Sequence, residues 1–469
     1  MRILLVAYDF PPVPSPQSLR WAYLVRELAF AGHEVHVLAP DIVGFGAGGL
    51  PELPDNVVVH RAFAGPLAGF VAWRHRKRHG ASMSVAAPAP PPVPANPYDA
   101  NDASLNWKGR LRRRVEARVV RRFAHGLNWK GQVMEVLKGL QSWLLFPDGR
   151  SEWVPWARRR LDALLDGVRP DVVITSHEPA NTIGLGLRAK ARGFAWVADL
   201  GDPVLASYTP RRWRRRAHAL ERALCERADL VSVTNVHTRD MLAQRHGLDP
   251  QRALVLTQGF DARFEMPHEA ALSDDPQRLE LLYTGSLYAF RRIDTLVDAI
   301  VATPGVRLNI ASASVPVPIL DAQRAHPDRF RLLGFVPHRH ALALQRGCDV
   351  LVNIANDDPV QVPGKLYEYL GADAPILNIG GGDDAGSQLV LEAGIGWNTP
   401  ADADAIASRL RELRDAKRRD GTLARPATGA YDTKQHAWDR LAARLARTIS
   451  HLVPGERAAS AAATGHRIA

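Results

Sequence analysis

Residues 2–8 read RILLVAY, a short apolar run that ends where the acidic Asp9 begins a loop. Four prolines lie in this loop, and an amphipathic stretch that ends at Gly32 follows it. Residues 33–38 then form a second apolar run. A buried strand, a helix capped by glycine and another buried strand, in this order, predict a parallel sheet with helices on both faces.

The same alternation continues along most of the chain. Short apolar runs, often rich in β-branched residues, are separated by helical stretches, as in doubly wound α/β domains. Strands are predicted at residues 56–60, 171–175, 195–198, 230–234 and 254–257 in the first half, and at residues 279–283, 307–311, 330–333, 350–354 and 376–379 in the second half. The predicted fold class is therefore α/β, with two tandem Rossmann-like domains that face each other across a cleft.

A polar linker that contains two prolines separates the two predicted domains. The first domain covers residues 1–265 and carries a basic, proline-rich helical insertion at residues 63–150. The second domain covers residues 275–430. Residues 431–452 are predicted as one amphipathic helix that packs back on the first domain, and the small, polar residues 453–469 as a disordered tail.

The composition is typical of a globular protein. Of the 469 residues, 46% are hydrophobic and 23% are charged, which excludes a wholly disordered or fibrous chain. The two cysteines, Cys225 and Cys348, are too few for a disulfide framework or a thiolate zinc site, which favours a reducing, cytoplasmic location. No apolar run approaches the roughly 20 residues that are needed to span a bilayer.

Two places in the second half are predicted to bind an anionic ligand. Gly285 follows a predicted strand, and Arg291 or Arg292, just before the next helix, could place positive charge at a diphosphate. Another helix starts with Lys365 in its first turn, and Glu368 lies three residues further on, near the same face. That carboxylate could accept hydrogen bonds from two ribose hydroxyls. Solvated arginines and an ordinary charge pair are the alternative interpretations.

Two further motifs are interpreted structurally. Residues 44–49 match the pattern GxGxxG, but they follow the second strand, so the dinucleotide-binding context is missing and a flexible loop is predicted. The Asp-x-Asp pair of Asp402 and Asp404 opens an alanine-rich helix, where acidic residues interact favourably with the helix dipole. We therefore expect neither a dehydrogenase nor a metal site.

Several short motifs follow one another in a fairly specific order over most of the chain. They are the proline-rich loop followed by Arg20, residues 32–35 (GHEV), 146–148 (FPD) with Trp153, 174–177 (ITSH), 196–203 (WVADLGDP), 259–261 (GFD), 283–285 (YTG), and the stretch Pro363-x-Lys365-x-Tyr367-Glu368-Tyr369. Together they resemble the retaining glycosyltransferases of family 4, and within that family a bacterial branch that acts in exopolysaccharide, capsule or lipopolysaccharide synthesis. The resemblance implies the GT-B fold, a nucleoside diphosphate sugar as donor and a glycan acceptor, expected to be linked to a lipid.

The resemblance implies that Glu368 binds the donor ribose, because it matches the second glutamate of the family's Glu-x7-Glu motif. The first glutamate of that motif, which contacts the donor sugar, falls on Val360, so the sequence departs from the family there. Asp358 or Asp357 could replace this glutamate, or backbone amides of the loop could suffice. The identity of the donor sugar is therefore open.

The resemblance also implies a diphosphate site at the end of the strand that precedes Gly285. The arginine and lysine that bind the diphosphate in the family fall on Ser286 and Arg291, so one cation is lost and the other is kept as an arginine. Lys365 is expected to restore the missing charge. These cations would stabilise the negative charge that develops on the leaving diphosphate, with no metal and no cofactor required.

Acceptor-side roles are expected at the strand ends of the first domain. His177 matches a family histidine near the transferred sugar, and Asp199 or Asp202 could orient an acceptor hydroxyl or serve as the base. Ser15 and Arg20, which follow the first strand, are expected on the acceptor side as well. A core histidine and carboxylates that cap loops are the structural alternatives.

Positive charge is concentrated in one segment. The chain has a net charge of +11, and residues 70–130 alone carry 13 Lys/Arg against three acids. Basic amphipathic stretches with tryptophans predict that residues 63–146 bind an anionic membrane surface. The alternative is a solvated helix face packed on the first domain. No recognised nucleic-acid-binding fold accompanies the arginines, so no nucleic-acid partner is expected.

The sequence thus predicts a glycosyltransferase at the inner face of the cell membrane. It would transfer a sugar from a nucleoside diphosphate sugar, with retention of configuration, in the synthesis of a cell-surface polysaccharide. Two other functions are considered. A nucleotide-sugar epimerase of the same fold would need a denser set of acids and bases in the cleft, and a catalytically silent binding protein is favoured by Val360 and Ser286.

Overall fold

The computed structural model describes residues 1–43, 50–79, 141, 143–265, 272, 275–287, 293–355, 362–372, 374–423 and 431–453. These residues form two α/β domains, each built on one parallel sheet. The predicted fold class of two Rossmann-like domains is confirmed. The GxGxxG stretch at residues 44–49, most of the predicted basic insertion and the predicted tail from residue 454 onward lie outside the described residues.

Seven parallel strands form the sheet of the first domain. Their order is β3-β2-β1-β4-β5-β6-β7, so the strand order reverses between β1 and β4, which is where ligands bind in open α/β sheets. The strands are β1 (Arg2–Ala7), β2 (Glu34–Pro40), β3 (Val57–Ala62), β4 (Val172–His177), β5 (Ala195–Leu200), β6 (Leu230–Val233) and β7 (Ala253–Val255).

Helices cover both faces of this sheet because its central strands are buried throughout. β1 buries every residue from Ile3 to Ala7, and α1 is started by Ser15, whose side chain accepts a hydrogen bond from the Ser18 amide. The helices of this domain are α1 (Pro16–Phe30), α2 (Pro66–His79), α3 (Val154–Gly167), α4 (Ile183–Ala191), α5 (Arg214–Arg227) and α6 (Val236–His246).

The second domain repeats the topology of the first with six parallel strands. Their order is β10-β9-β8-β11-β12-β13, and the strand order reverses between β8 and β11. The strands are β8 (Leu279–Thr284), β9 (Val306–Ala311), β10 (Phe330–Leu332), β11 (Val350–Ile354), β12 (Ile376–Ile379) and β13 (Gly396–Thr399). The helices are α7 (Asp294–Val301), α8 (Val317–Ala325), α9 (His338–Arg346), α10 (Gly364–Leu370), α11 (Ala385–Glu392) and α12 (Ala403–Asp420).

The last helix, α13 (Trp438–Ser450), belongs to the core of the first domain although it follows the second domain in sequence. Its apolar face buries Leu441, Leu445 and Ile449 against that core. Trp438 stacks on Tyr23 of α1 with the two rings 5.6 Å apart and nearly parallel. The chain therefore crosses between the domains twice, and α13 ties their relative position to α1.

One strand, β13, and the start of one helix, α2, show features that were not predicted from the sequence. The strand β13 was not among the predicted strands. The apolar run that begins at Phe63 continues into α2, and the Glu152 carboxylate accepts hydrogen bonds from the first amides of this helix, those of Leu67 and Ala68. Across the described ranges, no helix has the length and apolar character that a membrane span requires.

Candidate active site

A cleft of about 260 Å³ lies between the carboxyl ends of the strands of the two domains. Its first-domain wall includes Asp9 after β1, Glu178 after β4 and Asp202 after β5. Its second-domain wall includes Gly364 and Tyr367 of α10. Because ligands of parallel sheets bind at this edge, the cleft is the candidate active site.

At the end of β8 the chain makes a turn that only glycine adopts easily. Gly285 has a φ of 96°, a region that side chains disfavour. The hydroxyl of Tyr283 donates a hydrogen bond to the backbone oxygen of Ser286 at 2.9 Å, which fixes the turn. Ser286 thus contributes to the turn through its backbone, and a ligand can approach the main chain closely at Gly285.

Lys365 lies beside this turn. Its ammonium nitrogen is 3.5 Å from the centroid of the Tyr283 ring, over the ring face, and its side chain is half-buried. A cation–π contact of this kind fixes the position of the positive charge. The structure therefore brings Lys365 of α10 and Gly285 after β8 together, as the sequence analysis expected of a diphosphate site.

Glu368 is held by groups from three elements. Its Oε1 accepts a hydrogen bond from Nε2 of Gln345, which also donates to Oγ1 of Thr284 at 3.2 Å. Its Oε2 lies 3.8 Å from Nδ1 of His338, and the carboxylate side chain is 15% exposed. His338 in turn reaches the first domain, where its Nε2 lies 3.2 Å from the Tyr23 hydroxyl. Glu368 is thus fixed in orientation, and it lines a small pocket with Phe260 and Gln345 instead of the 260 Å³ cleft.

Other residues that were predicted on the donor side lie outside the described residues. These are Arg291 and Asp358, together with their neighbours Arg292, Asp357 and Val360. Their predicted contacts with the diphosphate and the donor sugar stay predictions.

Arg20 and Asp199 form a buried ion pair instead of facing an acceptor. Nη2 of Arg20 lies 3.1 Å from Oδ1 of Asp199, and both side chains are completely buried. Asp199 also accepts hydrogen bonds from Nε1 of Trp21 and from the hydroxyl of Ser232, while Arg20 donates to the backbone oxygen of Leu256. This is a correction to the sequence interpretation, which could not see that α1 supplies a partner for Asp199. We assign both residues a structural role.

His177, at the end of β4, is 7% exposed, and neither of its ring nitrogens has a hydrogen-bond partner among the described residues. Burial lowers the pKa of this histidine to about 4, so the ring is neutral at physiological pH. Its backbone oxygen accepts hydrogen bonds from Nε2 of Gln17 at 3.2 Å and from the amide of Gly201 at 3.1 Å. A neutral ring with two unpartnered nitrogens can donate from one and accept at the other.

Asp202 lines the cleft, and the structure pairs it with a residue that the sequence analysis missed, Glu178. A side-chain hydrogen bond joins the two carboxyl groups, and the Tyr208 hydroxyl donates to Oδ2 of Asp202 at 2.9 Å. Burial, followed by the negative charge of Asp202, raises the pKa of Glu178 to about 8. The signal in the sequence was its position directly after a predicted strand, beside His177.

Ser15 belongs to the first-domain wall, and Arg150 lies near it. Ser15 lines the cleft, and its side chain hydrogen-bonds to Asp9. Arg150 makes an ion pair with Asp148 at 2.7 Å and lies 3.7 Å from Oδ2 of Asp9. Arg150 is therefore a cation that partly offsets the negative charge of this wall.

Comparisons with known proteins agree with this architecture. The family described as Glycosyltransferase Family 4 matches residues 77–264. Sucrose-phosphate synthase from Thermosynechococcus elongatus superposes with a TM-score of 0.58 at 15% sequence identity, over 96% of this chain and 99% of that one. WaaG, a glycosyltransferase involved in lipopolysaccharide biosynthesis, superposes with a TM-score of 0.52 at 13% identity, over 97% and 100% of the chains.

The chain has the GT-B fold. A protein from Listeria monocytogenes assigned as a UDP-N-acetylglucosamine 2-epimerase is also similar to it, with a TM-score of 0.51 at 12% identity, over 96% of both chains. The sequence matches none of the curated proteins with which it was compared. At these identities the solved structures establish the GT-B fold and leave the reaction to the chemistry of the cleft.

That chemistry differs between the two walls of the GT-B cleft. The described part of the first-domain wall carries three carboxyl groups, those of Asp9, Glu178 and Asp202. The second-domain wall consists of Val362, Pro363, Gly364 and Tyr367, whereas Lys365 and Glu368 of α10 lie at the end of β8 and do not line the cleft. Within the described part of the chain, no group of three or more His, Cys, Asp or Glu side chains is arranged to hold a metal ion.

Proposed function

We propose that the protein is a glycosyltransferase that moves a sugar from a nucleoside diphosphate sugar to a glycan acceptor. The observation that carries this proposal is the cleft itself, which joins the carboxyl edges of two Rossmann-like sheets. Two substrates can meet there, each bound to its own domain. The match to Glycosyltransferase Family 4 over residues 77–264 supports the same reaction class.

The donor is assigned to the second domain on electrostatic grounds. A diphosphate carries negative charge, which the carboxylates of Asp9 and Asp202 on the first-domain wall would repel. At the end of β8, Lys365 offers a fixed positive charge, and the turn at Gly285 allows close approach to the backbone.

Glu368 would bind the ribose of the same donor. Its orientation is set by Gln345 and His338, so its carboxylate is prepared to accept hydrogen bonds from vicinal hydroxyl groups. Arg291 would add a second cation at the diphosphate. As the bond to the transferred sugar breaks, both cations would stabilise the negative charge that the leaving diphosphate gains, without a metal ion.

The first test is a thermal-shift titration of the full chain with UDP-, GDP- and dTDP-linked sugars, each with and without EDTA. A ligand that binds the folded state raises Tm by mass action. We expect one nucleotide series to raise Tm, with an effect that EDTA does not change, and the same series to release nucleoside diphosphate on incubation. If no series raises Tm, the donor assignment is wrong. If the best ligand binds but never turns over, the protein is a silent binding protein.

A second candidate function is epimerisation of a nucleotide sugar. It is favoured by the acid/base groups that line the cleft, because Asp9 and Glu178, which the sequence did not assign to the site, lie there with Asp202. The structural similarity to the L. monocytogenes protein shows only that the same fold hosts both reactions. Proton NMR of UDP-N-acetylglucosamine incubated with the protein separates them, because an epimerase produces the 2-epimer and a transferase does not.

Three finer features of the proposal rest on the sequence resemblance. They are retention of the anomeric configuration, a lipid-linked acceptor and a role in cell-surface polysaccharide synthesis. The first is checked most easily, because the anomeric coupling constant of the product gives its configuration directly. An inverted product would remove retention from the proposal and leave glycosyl transfer in place.

We further propose that the protein binds the inner face of the cell membrane through residues 63–146, of which α2 is described. Phe70 and Trp73 of α2 are about half exposed and lie 5.9 Å apart. Lys77 is placed over the Trp73 ring at 5.4 Å. Aromatic rings beside a cation are typical of a helix that lies in the membrane interface.

This proposal is tested by sedimentation of the protein with vesicles of phosphatidylglycerol and phosphatidylethanolamine. The double variant Phe70→Ser/Trp73→Ser should weaken binding several-fold. Phe30→Ser is the matched control, because Phe30 is equally exposed on another helix of the same domain. Equal binding of all three proteins would end the membrane proposal for α2.

A further inference from the structure

We propose that Glu178 and Asp202 form a carboxyl pair that binds a hydroxyl group of the acceptor, and that Glu178 takes the proton of this hydroxyl during transfer. The inference rests on the proposed glycosyl transfer and adds to it the residues that activate the acceptor. It also assigns a chemical class to the acceptor at this position, a polyhydroxylated ligand such as a sugar.

The first observation is the placement of the pair. Both carboxyl groups line the 260 Å³ cleft, at the ends of neighbouring strands β4 and β5. The hydrogen bond between them holds a proton in the pair. Tyr208 donates to the outer oxygen of Asp202 and so leaves Glu178 as the member with free acceptor capacity.

The second observation is independent of the acids. Gln17 also lines the cleft and is 6% exposed, yet its Oε1 has no hydrogen-bond partner among the described residues. Its Nε2 contacts the backbone of His177, and the amide group lies against Gly201, next to Asp202. The side chain is thus fixed with an unsatisfied acceptor at the wall that carries the pair.

Further unsatisfied groups surround the same strand ends. Within the described ranges, both side-chain amide atoms of Asn181, both ring nitrogens of His177 and the hydroxyls of Ser18 and Ser176 are buried without a partner. A buried polar group without a hydrogen bond costs about 1–3 kcal/mol. His177, Asn181, Ser18 and Ser176 do not line the cleft, so among these described groups Gln17 is the one that a ligand in the cleft can reach.

The chemistry of these groups selects the ligand. Gln17 and Glu178 offer hydrogen-bond acceptors at the cleft, and each sugar hydroxyl can donate one hydrogen bond and accept others. An anionic group would be repelled by the negative charges of Asp9 and Asp202, so this position favours a neutral ligand over a phosphate. A neutral, polyhydroxylated acceptor fits both conditions.

In the proposed step, glycosyl transfer is coupled to loss of the acceptor proton. The acceptor oxygen forms a bond to the anomeric carbon of the donor sugar, and the bond from that carbon to the diphosphate oxygen breaks, with its electron pair leaving on the diphosphate. The step starts from the pair after its shared proton has been lost to solvent, and the proton of the acceptor hydroxyl passes to the carboxylate of Glu178. It is then released to solvent through the open cleft, and the pair returns to its starting state.

The charges that face Glu178 set the pH at which it works. Asp202 from the loop after β5, Asp9 from the loop after β1 and the phenol of Tyr208 disfavour a second negative charge, whereas Arg150 favours it. Burial and Asp202 dominate and raise the pKa of Glu178 toward the pH of the cell. A general base is most effective when its pKa lies near the working pH.

The test uses the full chain and measures release of nucleoside diphosphate from UDP-glucose, GDP-mannose and dTDP-glucose, with free monosaccharides or water as acceptors. Glu178→Gln should lower kcat at least 100-fold and change the affinity for the nucleoside diphosphate less than twofold. Asp202→Asn should move the rising limb of the pH–rate profile to lower pH by one unit or more, because it removes the charge that opposes ionisation of Glu178. Glu226→Gln, an exposed glutamate on α5, is the control and should leave both quantities unchanged.

The outcomes separate this inference from the proposed function. A wild-type protein that binds none of the nucleotides contradicts the donor assignment. A Glu178→Gln variant that binds nucleotide and keeps more than a tenth of kcat overturns the carboxyl pair alone. If the wild type binds nucleotide without turnover, NMR of the Glu178 carboxyl carbon measures the pKa of this group in the wild type and in Asp202→Asn. A pKa near the ordinary glutamate value that is the same in both proteins would overturn the pair.

Discussion

The two domains have the same strand order around the cleft, but opposite chemistry at equivalent strand ends. The first strand of each sheet is followed by Asp9 in the first domain and by Gly285 in the second. The fifth strands, β5 and β12, are followed by Gly201 and Asp202 in one domain and by three glycines, residues 380–382, in the other. The strand ends of the first domain are therefore acidic, and those of the second expose backbone, with Lys365 beside the end of β8.

This difference shows how one topology can serve two substrates. The parallel sheet fixes where the strand ends lie, and the residues that follow each strand decide what binds there. Carboxyl groups favour neutral hydroxyl groups that can donate a hydrogen bond, whereas a glycine turn beside Lys365 favours a diphosphate. The assignment of acceptor and donor follows from this contrast.

The largest expected effect concerns the two aspartates at the end of β5. Asp199→Ala removes the partner of a fully buried arginine, Arg20, and should lower the free energy of unfolding by about 3–5 kcal/mol. Asp202→Ala, at the cleft, should change it by less than about 1 kcal/mol. Urea unfolding followed by tryptophan fluorescence measures both, and equal losses would contradict the structural role of Asp199.

The next effect is a pH dependence that belongs to the acidic wall. The pKa of Glu178 is raised from 4.5 to about 8 by folding, so its contribution to stability is present at pH 4.5 and is lost as the pH rises to 8. The loss amounts to at most about 1.4 kcal/mol for each pH unit. Glu178→Gln should therefore remove part of the fall in Tm between pH 5 and pH 8. Parallel Tm curves for the variant and the wild type would show that the carboxyl groups are not coupled.

A smaller effect, on nucleotide affinity, is expected at Lys365 of the second domain. Lys365→Met keeps the length of the side chain and removes its charge, so the affinity for the nucleoside diphosphate should fall about tenfold, equivalent to about 1.4 kcal/mol. Lys77→Met on α2 is the control and should bind nucleotide normally. Isothermal titration of UDP, GDP or dTDP measures the change, and an unaltered Kd for Lys365→Met would remove this lysine from the donor site.

The smallest effect distinguishes two buried histidines whose pKa values are both lowered to about 4 by burial. His436 is hydrogen-bonded to Thr257 and Tyr431, whereas the ring of His177 has no partner within the described chain. At pH 7, His436→Gln should cost about 1 kcal/mol and His177→Gln less. Both should flatten the loss of stability that occurs as the pH falls from 6.5 to 4. A larger cost for His177→Gln would mean that its ring has a structural partner.

Much of the fold, and the proximity of two proposed donor residues, could be predicted because both depend on local patterns. Buried parallel strands appear as short apolar runs, and Lys365 and Glu368 share one face of a short helix three residues apart. The strand β13 was missed because its sequence, Gly-Trp-Asn-Thr, has no apolar run. Gly396 is needed there, since a side chain would lie 1.9 Å from the backbone oxygen of Ile376.

The rest of the site depends on contacts between distant residues, which no local pattern reveals. Asp199 and Asp202 are three residues apart, but only Asp199 meets Arg20, which is 179 positions away in sequence. Glu178 is an unremarkable loop residue until the sheet places it beside Asp202. Desolvation and pairing of charges, which set the roles of these acids, are properties of the folded structure.

The central claim is that the diphosphate binds the second domain and that the acceptor binds the first. The most direct test is isothermal titration, which measures the Kd of the preferred nucleoside diphosphate for the isosteric variants Glu368→Gln and Glu178→Gln. We expect Glu368→Gln to weaken binding at least tenfold and Glu178→Gln to bind as tightly as the wild type. Weakened binding by Glu178→Gln with none by Glu368→Gln would place the nucleotide on the opposite wall and contradict the account.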